Sequence, residues 1–191
     1  DVGSGKTAVA AALLDTMVQN GYQCALMAPT EILATQHYAT LQKFFAGTNT
    51  RLCLLTGACT AKEKRQMKAD LLEGNIHIAV GTHALIQNDV EFANLGLVIT
   101  DEQHRFGVQQ RADLAMEGEE VHTLVMSATP IPRTLAMMIY GDLDISILDE
   151  LPPGRKPVKT RCITGKKRQD LYGFLDREIG AGRQVYIVCP A

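Results

Sequence analysis

The residues best suited to chemistry lie at the very start of the chain, in the run from Asp1 to Thr7 (DVGSGKT). This run matches the second half of the phosphate-binding pattern G-x-x-x-x-G-K-[ST]. Its glycines let the backbone turn tightly, so that consecutive N–H groups can surround a polyphosphate. Lys6 would contact the β- and γ-phosphates, and the Thr7 hydroxyl would bind Mg²⁺. The residues predicted to bind the nucleotide are Gly3, Ser4, Gly5, Lys6 and Thr7.

A helix is predicted behind this loop, from about Thr7 to Gln19, and its N-terminal dipole would point at the phosphates. The alternative is a Gly-Ser-Gly turn that only caps a helix, but Gly-Lys-Thr before an apolar helix is a fairly specific signal. Helical spacing predicts one apolar face, made of Val9, Leu13, Met17, Ala10 and Leu14. The first glycine of the pattern and the strand before it would precede Asp1. We therefore expect the first strand to be missing and the central strand position to be empty.

A second candidate site is the acidic pair Asp101-Glu102, which follows the buried strand predicted over Leu95–Thr100. Phosphoryl transfer from ATP needs a phosphate cradle, a bound Mg²⁺ and a group that orients the attacking water. Asp101 is placed to hold the metal, and Glu102 to orient or deprotonate the water. The alternative is a solvated acidic turn, which Gly-Lys-Thr in the same predicted sheet strongly disfavours.

Short apolar strands alternate with helices along most of the chain, which predicts a parallel α/β sheet. The predicted strands are Cys24–Ala28, Arg51–Leu55, Ile76–Val80, Leu95–Thr100 and His122–Met126. The polar clusters all follow the carboxyl ends of these strands, where ligands bind in such sheets.

Helices are predicted after Thr30, from Thr60 to about Glu73 and from Arg133 to Tyr140. Thr30 would cap the first of them, and Thr60 opens a capping box. In the first helix we interpret His37 as an ordinary surface residue. In the second, a basic run favours a solvated helix face over contact with a nucleic-acid backbone; its members are Lys62, Lys64, Arg65 and Lys68.

Composition indicates a globular protein, since 46% of the 191 residues are hydrophobic and 21% are charged. A net charge of −2 and a pI near 6.2 give no overall basic field, so nucleic-acid binding would depend on local groups. The five cysteines lack C-x-x-C spacing; we expect most of them to be buried thiols in a reducing cytosol and a metal site to be absent. No apolar run approaches the ~20 residues of a membrane span.

Three prolines and a glycine in the run 151–157 indicate a linker. It separates a predicted first domain, 1–150, from the start of a second domain, 158–191. In the second domain we expect a strand over Val158–Ile163, then a helix, then a strand over Gln184–Cys189.

The longer motifs resemble the superfamily-two helicases, and within them the RecG family of bacterial ATP-dependent helicases that remodel branched DNA. The resemblance covers essentially the whole chain. It rests on Ala28–Ala34 (APTEILA), Gly81–Gln87 (GTHALIQ), Asp101–Val108 (DEQHRFGV), Ser127–Leu135 (SATPIPRTL), Gly141–Asp144 (GDLD) and Leu151–Arg155 (LPPGR). The motor of the transcription–repair coupling factor shares some of these runs. That family carries Glu at the position of Gln103 and lacks the LPPGR ending, which favours RecG. A non-catalytic P-loop module is the other alternative.

The resemblance implies two RecA-like domains, of which this chain holds a truncated first and the start of the second. It implies ATP and Mg²⁺ as cofactors, and branched DNA, such as forks and Holliday junctions, as partner. Lys6, Asp101, Glu102, Gln103 and His104 are implied to be catalytic, with Gln103 and His104 coupling the site to Ser127 and Thr129. Thr30 and Thr82 are implied to hold the DNA backbone, with simple N-capping as an equal alternative.

The resemblance also implies a monomer in the bacterial cytoplasm, associated with the nucleoid, with single-strand-binding protein as a further partner and no membrane. The family's wedge domain and arginine fingers are not within these 191 residues. We therefore expect the isolated chain to bind ATP weakly, to show no DNA-stimulated hydrolysis and to aggregate.

Overall fold

The computed structural model describes residues 5–82, 85, 90–101, 121–127, 144–148 and 158–189. Outside this part lie the predicted helix Arg133–Tyr140, the linker and the site residues Gly3, Ser4, Glu102, Gln103, His104 and Thr129. The chain divides into two compact units, Asp1–Pro152 and Pro153–Ala191. The domain boundaries given above stay a prediction.

The described part of the first unit is a parallel β-sheet with flanking helices, which confirms the predicted fold class. Its five strands lie in the order β2-β3-β1-β4-β5. The elements are α1 (Lys6–Gln19), β1 (Gln23–Met27), α2 (Glu31–Phe44), β2 (Leu52–Leu55), α3 (Ala61–Leu72), β3 (Ile78–Gly81), β4 (Leu95–Asp101) and β5 (His122–Met126).

The sheet has no gap at its centre, so the expected empty central position was wrong. Strand β1 pairs directly with β3 on one side and β4 on the other. Strand β4 in turn pairs with β5, which is the last strand of the described sheet. Strand β5 is the least buried strand of this sheet, with Met126 as its one buried residue.

Both faces of the sheet are covered, which explains why its central strands are apolar at nearly every position. One cluster contains residues of α1 and α2 and includes Leu14, Leu26 and Ile99. The other contains Leu71 of α3 and includes Leu55 and Val98. Successive residues of a strand, such as Val98 and Ile99, therefore belong to the two clusters on opposite faces of the sheet.

Helix α1 buries part of the apolar face that helical spacing predicted, together with Ala11. Ala10, Ala11 and Leu14 are buried, whereas Val9 is 46% exposed and Leu13 is 39% exposed. The prediction is thus confirmed for Ala10 and Leu14 and wrong for Val9 and Leu13. The small side chains of Ala10 and Ala11 allow α1 to pack close to the sheet.

The two predicted caps are confirmed. Thr30 caps α2 by accepting a hydrogen bond from the backbone N–H of Leu33 at 3.3 Å. Thr60 and Glu63 form the capping box of α3, in which the Glu63 carboxylate accepts a bond from the Thr60 backbone N–H at 2.8 Å. The Thr60 hydroxyl and backbone N–H stabilise this carboxylate and lower the pKa of Glu63.

Strand β1 begins one residue earlier than predicted, at the buried amide of Gln23. Its Nε2 donates to the backbone oxygens of Leu71 at 2.9 Å and Ile76 at 2.7 Å. Its Oε1 accepts from the backbone N–H of Asn94 at 2.9 Å. One side chain therefore connects β1 to the end of α3, to the segment before β3 and to the segment before β4.

In the second unit the predicted helix is confirmed as α4 (Arg168–Gly180), which a 3₁₀ turn at Gly165–Lys167 precedes. The two predicted strands were wrong, because 158–164 and 183–189 are not in strands. An isolated strand has no ladder of hydrogen bonds, and its apolar side chains stay in water. Val158 is accordingly 84% exposed and Val188 is 92% exposed.

The expectation of mostly buried cysteines holds only for Cys24 and Cys53, where burial raises the pKa of each thiol to about 12. Cys59 is partly buried, while Cys162 and Cys189 are exposed because the strands expected around them are not formed. Among the helices of the described residues, none has the length and hydropathy required to cross a membrane.

Candidate nucleotide-binding site

The described part of the phosphate-binding loop is the turn into α1. Gly5 is the N-cap residue, with a φ of +90° that favours glycine. Its carbonyl oxygen accepts the N–H groups of Ala8 at 2.9 Å and Val9 at 3.2 Å, which closes the first turn. Lys6 and Thr7 are then the first two helical residues, both half-buried. Because Gly5 has no side chain with which to cap the helix, this terminus is suited to an anion.

The second part of the site is the carboxyl edge of the sheet. Asp101 is the last residue of β4 and lies in register with Met126, so Ser127 follows at the same edge. Met27 lies in register with both Gly81 and Thr100, so the segments that carry Thr30 and Thr82 leave the same edge. The parallel topology thus brings together Thr30, Thr82, Asp101 and Ser127, as their positions after strands predicted.

Sequence reasoning missed His37. Its Nε2 lies 2.7 Å from Oδ2 of Asp101, and the two side chains are only 12% and 13% exposed. Our interpretation of His37 as an ordinary surface residue was therefore wrong. The available signal was its position between the buried residues Ala34 and Leu41 on the side of α2 that faces the sheet.

Glu31 makes a second contact that the sequence did not reveal, with the loop between β2 and α3. Its Oε1 accepts a hydrogen bond from the backbone N–H of Ala58 at 3.1 Å. A Cβ atom at Gly57 would approach the same oxygen to 2.6 Å, so glycine lets the loop between β2 and α3 pass close to α2. In the predicted basic run, Lys64 donates to the Gly57 carbonyl oxygen at 3.3 Å. This lysine therefore stabilises the loop.

The two threonines predicted to hold DNA differ in their local contacts. Thr30 is exposed and caps α2, which is the alternative that we considered equal. Capping uses the hydroxyl as an acceptor and leaves its proton available for donation to a phosphate. Thr82 is half-buried, and its carbonyl oxygen accepts from the backbone N–H of Leu85 at 3.0 Å. Contact with DNA stays a prediction for both.

The donor chemistry of the site fits Mg²⁺. The Thr7 hydroxyl and the Asp101 carboxylate are the hard oxygen ligands that this ion prefers. His37 contacts Oδ2 of Asp101, and no hydrogen bond from the described residues engages Oδ1. The described residues also contain no cluster of three His, Cys, Asp or Glu side chains that could hold a metal. A nucleotide-bound Mg²⁺ needs no such cluster, because phosphates and water supply most of its ligands.

The chain matches known helicases along its whole length. It is 53% identical over 191 residues to the ATP-dependent DNA helicase RecG of Synechocystis sp., with 100% of this chain and 23% of that protein covered. It is also 53% identical over 192 residues to RecG of Aquifex aeolicus, with 100% of this chain and 24% of that protein covered. The chain thus spans about a quarter of the length of these curated relatives.

Among solved structures, the chain is similar to RecG bound to a three-way DNA junction, with a TM-score of 0.85 and 48% identity. That match covers 100% of this chain and 26% of the RecG chain. The family model described as DEAD/DEAH box helicase matches residues 1–138. The chain therefore belongs to the DEAD/DEAH box helicase family.

Proposed function

We propose that this chain is the ATP-binding part of the motor of an ATP-dependent DNA helicase that remodels branched DNA, such as replication forks and Holliday junctions, in recombination and repair. The observation that carries this proposal is the match of the whole chain, at about half identity, to RecG proteins. A RecG protein has been seen bound to a three-way DNA junction. The relatives named here favour this function over that of a transcription–repair coupling factor.

Four residues would perform the reaction on ATP. Lys6 would neutralise the β- and γ-phosphates at the start of α1, and Thr7 with Asp101 would hold Mg²⁺. Bound Mg²⁺ supplies charge neutralisation on the phosphate oxygens. Glu102 would orient the attacking water and accept its proton. Supporting this assignment, Lys6 and Thr7 open a helix at a positive-φ glycine, and Asp101 ends a buried strand.

The other predicted residues would link this reaction to DNA. Gln103 and His104 would couple the nucleotide site to the turn that contains Ser127 and Thr129. The common sheet edge of Asp101 and Ser127 supports this role, because their segments leave neighbouring strands in register. Thr30 and Thr82 would hold the DNA backbone, with an N–H-rich helix terminus next to Thr30.

The complete protein would act as a monomer in the bacterial cytoplasm, close to the nucleoid, with single-strand-binding protein as a further partner. Residues 1–150 would form the first motor domain, 151–157 a linker and 158–191 the start of the second. The second domain would complete the ATP site with an arginine, a contribution worth about 10³–10⁵ in rate.

The proposal is tested in the full-length helicase that carries this chain, by measuring ATPase activity and unwinding on branched DNA. Lys6→Ala should abolish ATP-driven unwinding while branched-DNA binding stays largely intact, because Lys6 would bind the phosphates of ATP and not the DNA. Lys43→Ala, an exposed lysine near the end of α2, is the matched control and should retain activity. Near-normal unwinding by Lys6→Ala would contradict the proposal.

Glu102→Gln in the same protein separates a motor from a non-catalytic nucleotide-binding module. It keeps the shape of the side chain but removes the charge that would orient water. ATP should still bind, and turnover should fall by roughly 10²–10⁴, the range for loss of a general base. A module that only binds nucleotide would show no DNA-stimulated turnover even before substitution. Loss of nucleotide affinity in step with turnover would make Glu102 a binding residue.

A further inference from the structure

The geometry points to His37 as a positioning residue that holds the Asp101 carboxylate in the orientation needed to bind the nucleotide-associated metal. This inference rests on the proposed function, since it takes Asp101 as a ligand of Mg²⁺. It adds a residue of α2 to a site whose predicted members come from the phosphate loop and the strand ends.

The surroundings of His37 show that its ring is not a solvated surface group. The neighbouring positions Ala34 and Leu41 on the same face of α2 are fully buried, and Leu33 and Tyr38 pack partly against the core. A polar ring in such a stripe is costly unless it has a partner. The ring is 12% exposed, and Asp101 provides that partner.

The chemistry of His37 and Asp101 determines which atom donates the hydrogen bond and which accepts it. An ionised carboxylate can only accept hydrogen bonds, so Nε2 of His37 must carry the proton that it donates to Oδ2 of Asp101. The separation of 2.7 Å is at the short end expected of a hydrogen bond to a charged oxygen. Rotation of the carboxylate would break this bond. His37 therefore restricts the rotation and keeps Oδ1 available on the other side.

The backbone of Asp101 is already held by the sheet, because it ends β4 in register with Met126 of β5. The strand does not restrict the side-chain torsion of Asp101, and His37 is the described residue that forms a hydrogen bond with this side chain. Hydrogen bonds from such outer partners orient ligating groups, and their loss typically costs 10–100-fold in metal affinity or activity. Loss of His37 should therefore affect the metal more than the nucleotide.

The test uses the full-length helicase and the variants His37→Leu and His37→Gln. Leucine fills part of the same space without a donor, whereas the Nε2 of glutamine can replace the donor. His77 is the matched control, because it is also half-buried and its Nδ1 accepts one backbone bond, from Arg51 N–H at 2.9 Å. His77 precedes β3, so it lies at the opposite edge of the parallel sheet from Asp101.

Binding of Mn²⁺ in the presence of a non-hydrolysable ATP analogue, followed by electron paramagnetic resonance, gives a readout that does not depend on activity. We expect His37→Leu to weaken Mn²⁺ binding about 10–100-fold. Affinity for the analogue in EDTA should stay unchanged, and His37→Gln should restore most of the Mn²⁺ affinity. His77→Leu should leave Mn²⁺ binding unchanged.

Unchanged Mn²⁺ affinity in His37→Leu would overturn the inference. So would an equal loss of analogue affinity in EDTA, or an equal effect of His77→Leu, since each would indicate a general structural role. Failure of the proposed function would give a distinguishable result, because the unsubstituted helicase would then fail to bind the metal and the analogue together. That result would overturn the inference as well.

Discussion

Substitution of Gln23 tests the energetics of the fold most directly. Gln23→Ala removes three hydrogen bonds from a residue that is only 4% exposed, and it leaves two backbone oxygens and one N–H without this partner. At about 0.5–1.5 kcal/mol for each bond, the expected loss is about 3 kcal/mol. This lowers the opening free energy of β1 and its neighbours, and should accelerate their amide exchange on the order of 10²-fold.

Hydrogen-exchange mass spectrometry of the full-length helicase measures this effect segment by segment, so it does not require two-state unfolding of a large protein. Gln19→Ala is the matched control, because Gln19 is exposed and, among the described residues, its side chain bonds only to the side chain of Asp15. An exposed substitution of this kind costs no more than about 0.5 kcal/mol. Equal exchange of β1 in the two variants would refute the assigned role of Gln23.

Gln23→Glu adds a dependence on pH that a simple packing defect would not show. An ionised carboxylate keeps the acceptor for Asn94 but cannot donate to the carbonyl oxygens of Leu71 and Ile76. Burial against two oxygens favours its protonated form and raises its pKa in the folded state. Stability relative to the parent should therefore be highest at low pH and fall as the pH rises above about 4.3. A penalty independent of pH would contradict this account.

Two further predictions concern close packing and thiol burial. Gly81→Ala would place a Cβ atom 2.2 Å from a backbone oxygen of β2, so it should lower the melting temperature strongly. Gly57→Ala would meet only the movable Glu31 carboxylate, so it should lower the melting temperature little. Equal melting temperatures would contradict this. Burial raises the pKa values of Cys24 and Cys53 to about 12, so both thiols should react with iodoacetamide only when the protein unfolds. Mass spectrometry detects the modification. Modification of either cysteine in the native helicase would contradict this prediction.

The strands and helix caps of the first unit could be predicted because their signals are local. A strand buried on both faces is apolar at successive positions, as in Cys24–Met27, and a capping box needs only Thr60 and a glutamate three residues later. The same local logic predicted that Asp101 would end a strand at the ligand-binding edge. It failed for 158–163 and 184–189, since a β-like pattern forms a strand only with a partner strand.

The polar contacts that organise the site could not be predicted in the same way. Gln23, Glu31 and His37 each bond to groups that are distant in sequence, and which groups they meet depends on how the elements pack. No local pattern carries that information. The buried face of α1 was predicted only in part, because the exposed Val9 and Leu13 are as apolar as the buried Ala10 and Leu14 and no local signal separates the two pairs.

Helix α2, with its N-cap Thr30, carries residues of two predicted sites of the proposed motor, the DNA-binding site and the ATP site. At its start, Thr30 lies at the predicted DNA-binding position, and Glu31 holds the loop after β2 through Ala58. About two turns later, His37 contacts Asp101. A helix moves as a nearly rigid body, whereas a hydrogen bond of 2.7 Å weakens when its atoms separate by a few tenths of an ångström. Under the proposed function, a small shift of α2 on DNA binding would therefore change the orientation of the carboxylate that holds the metal.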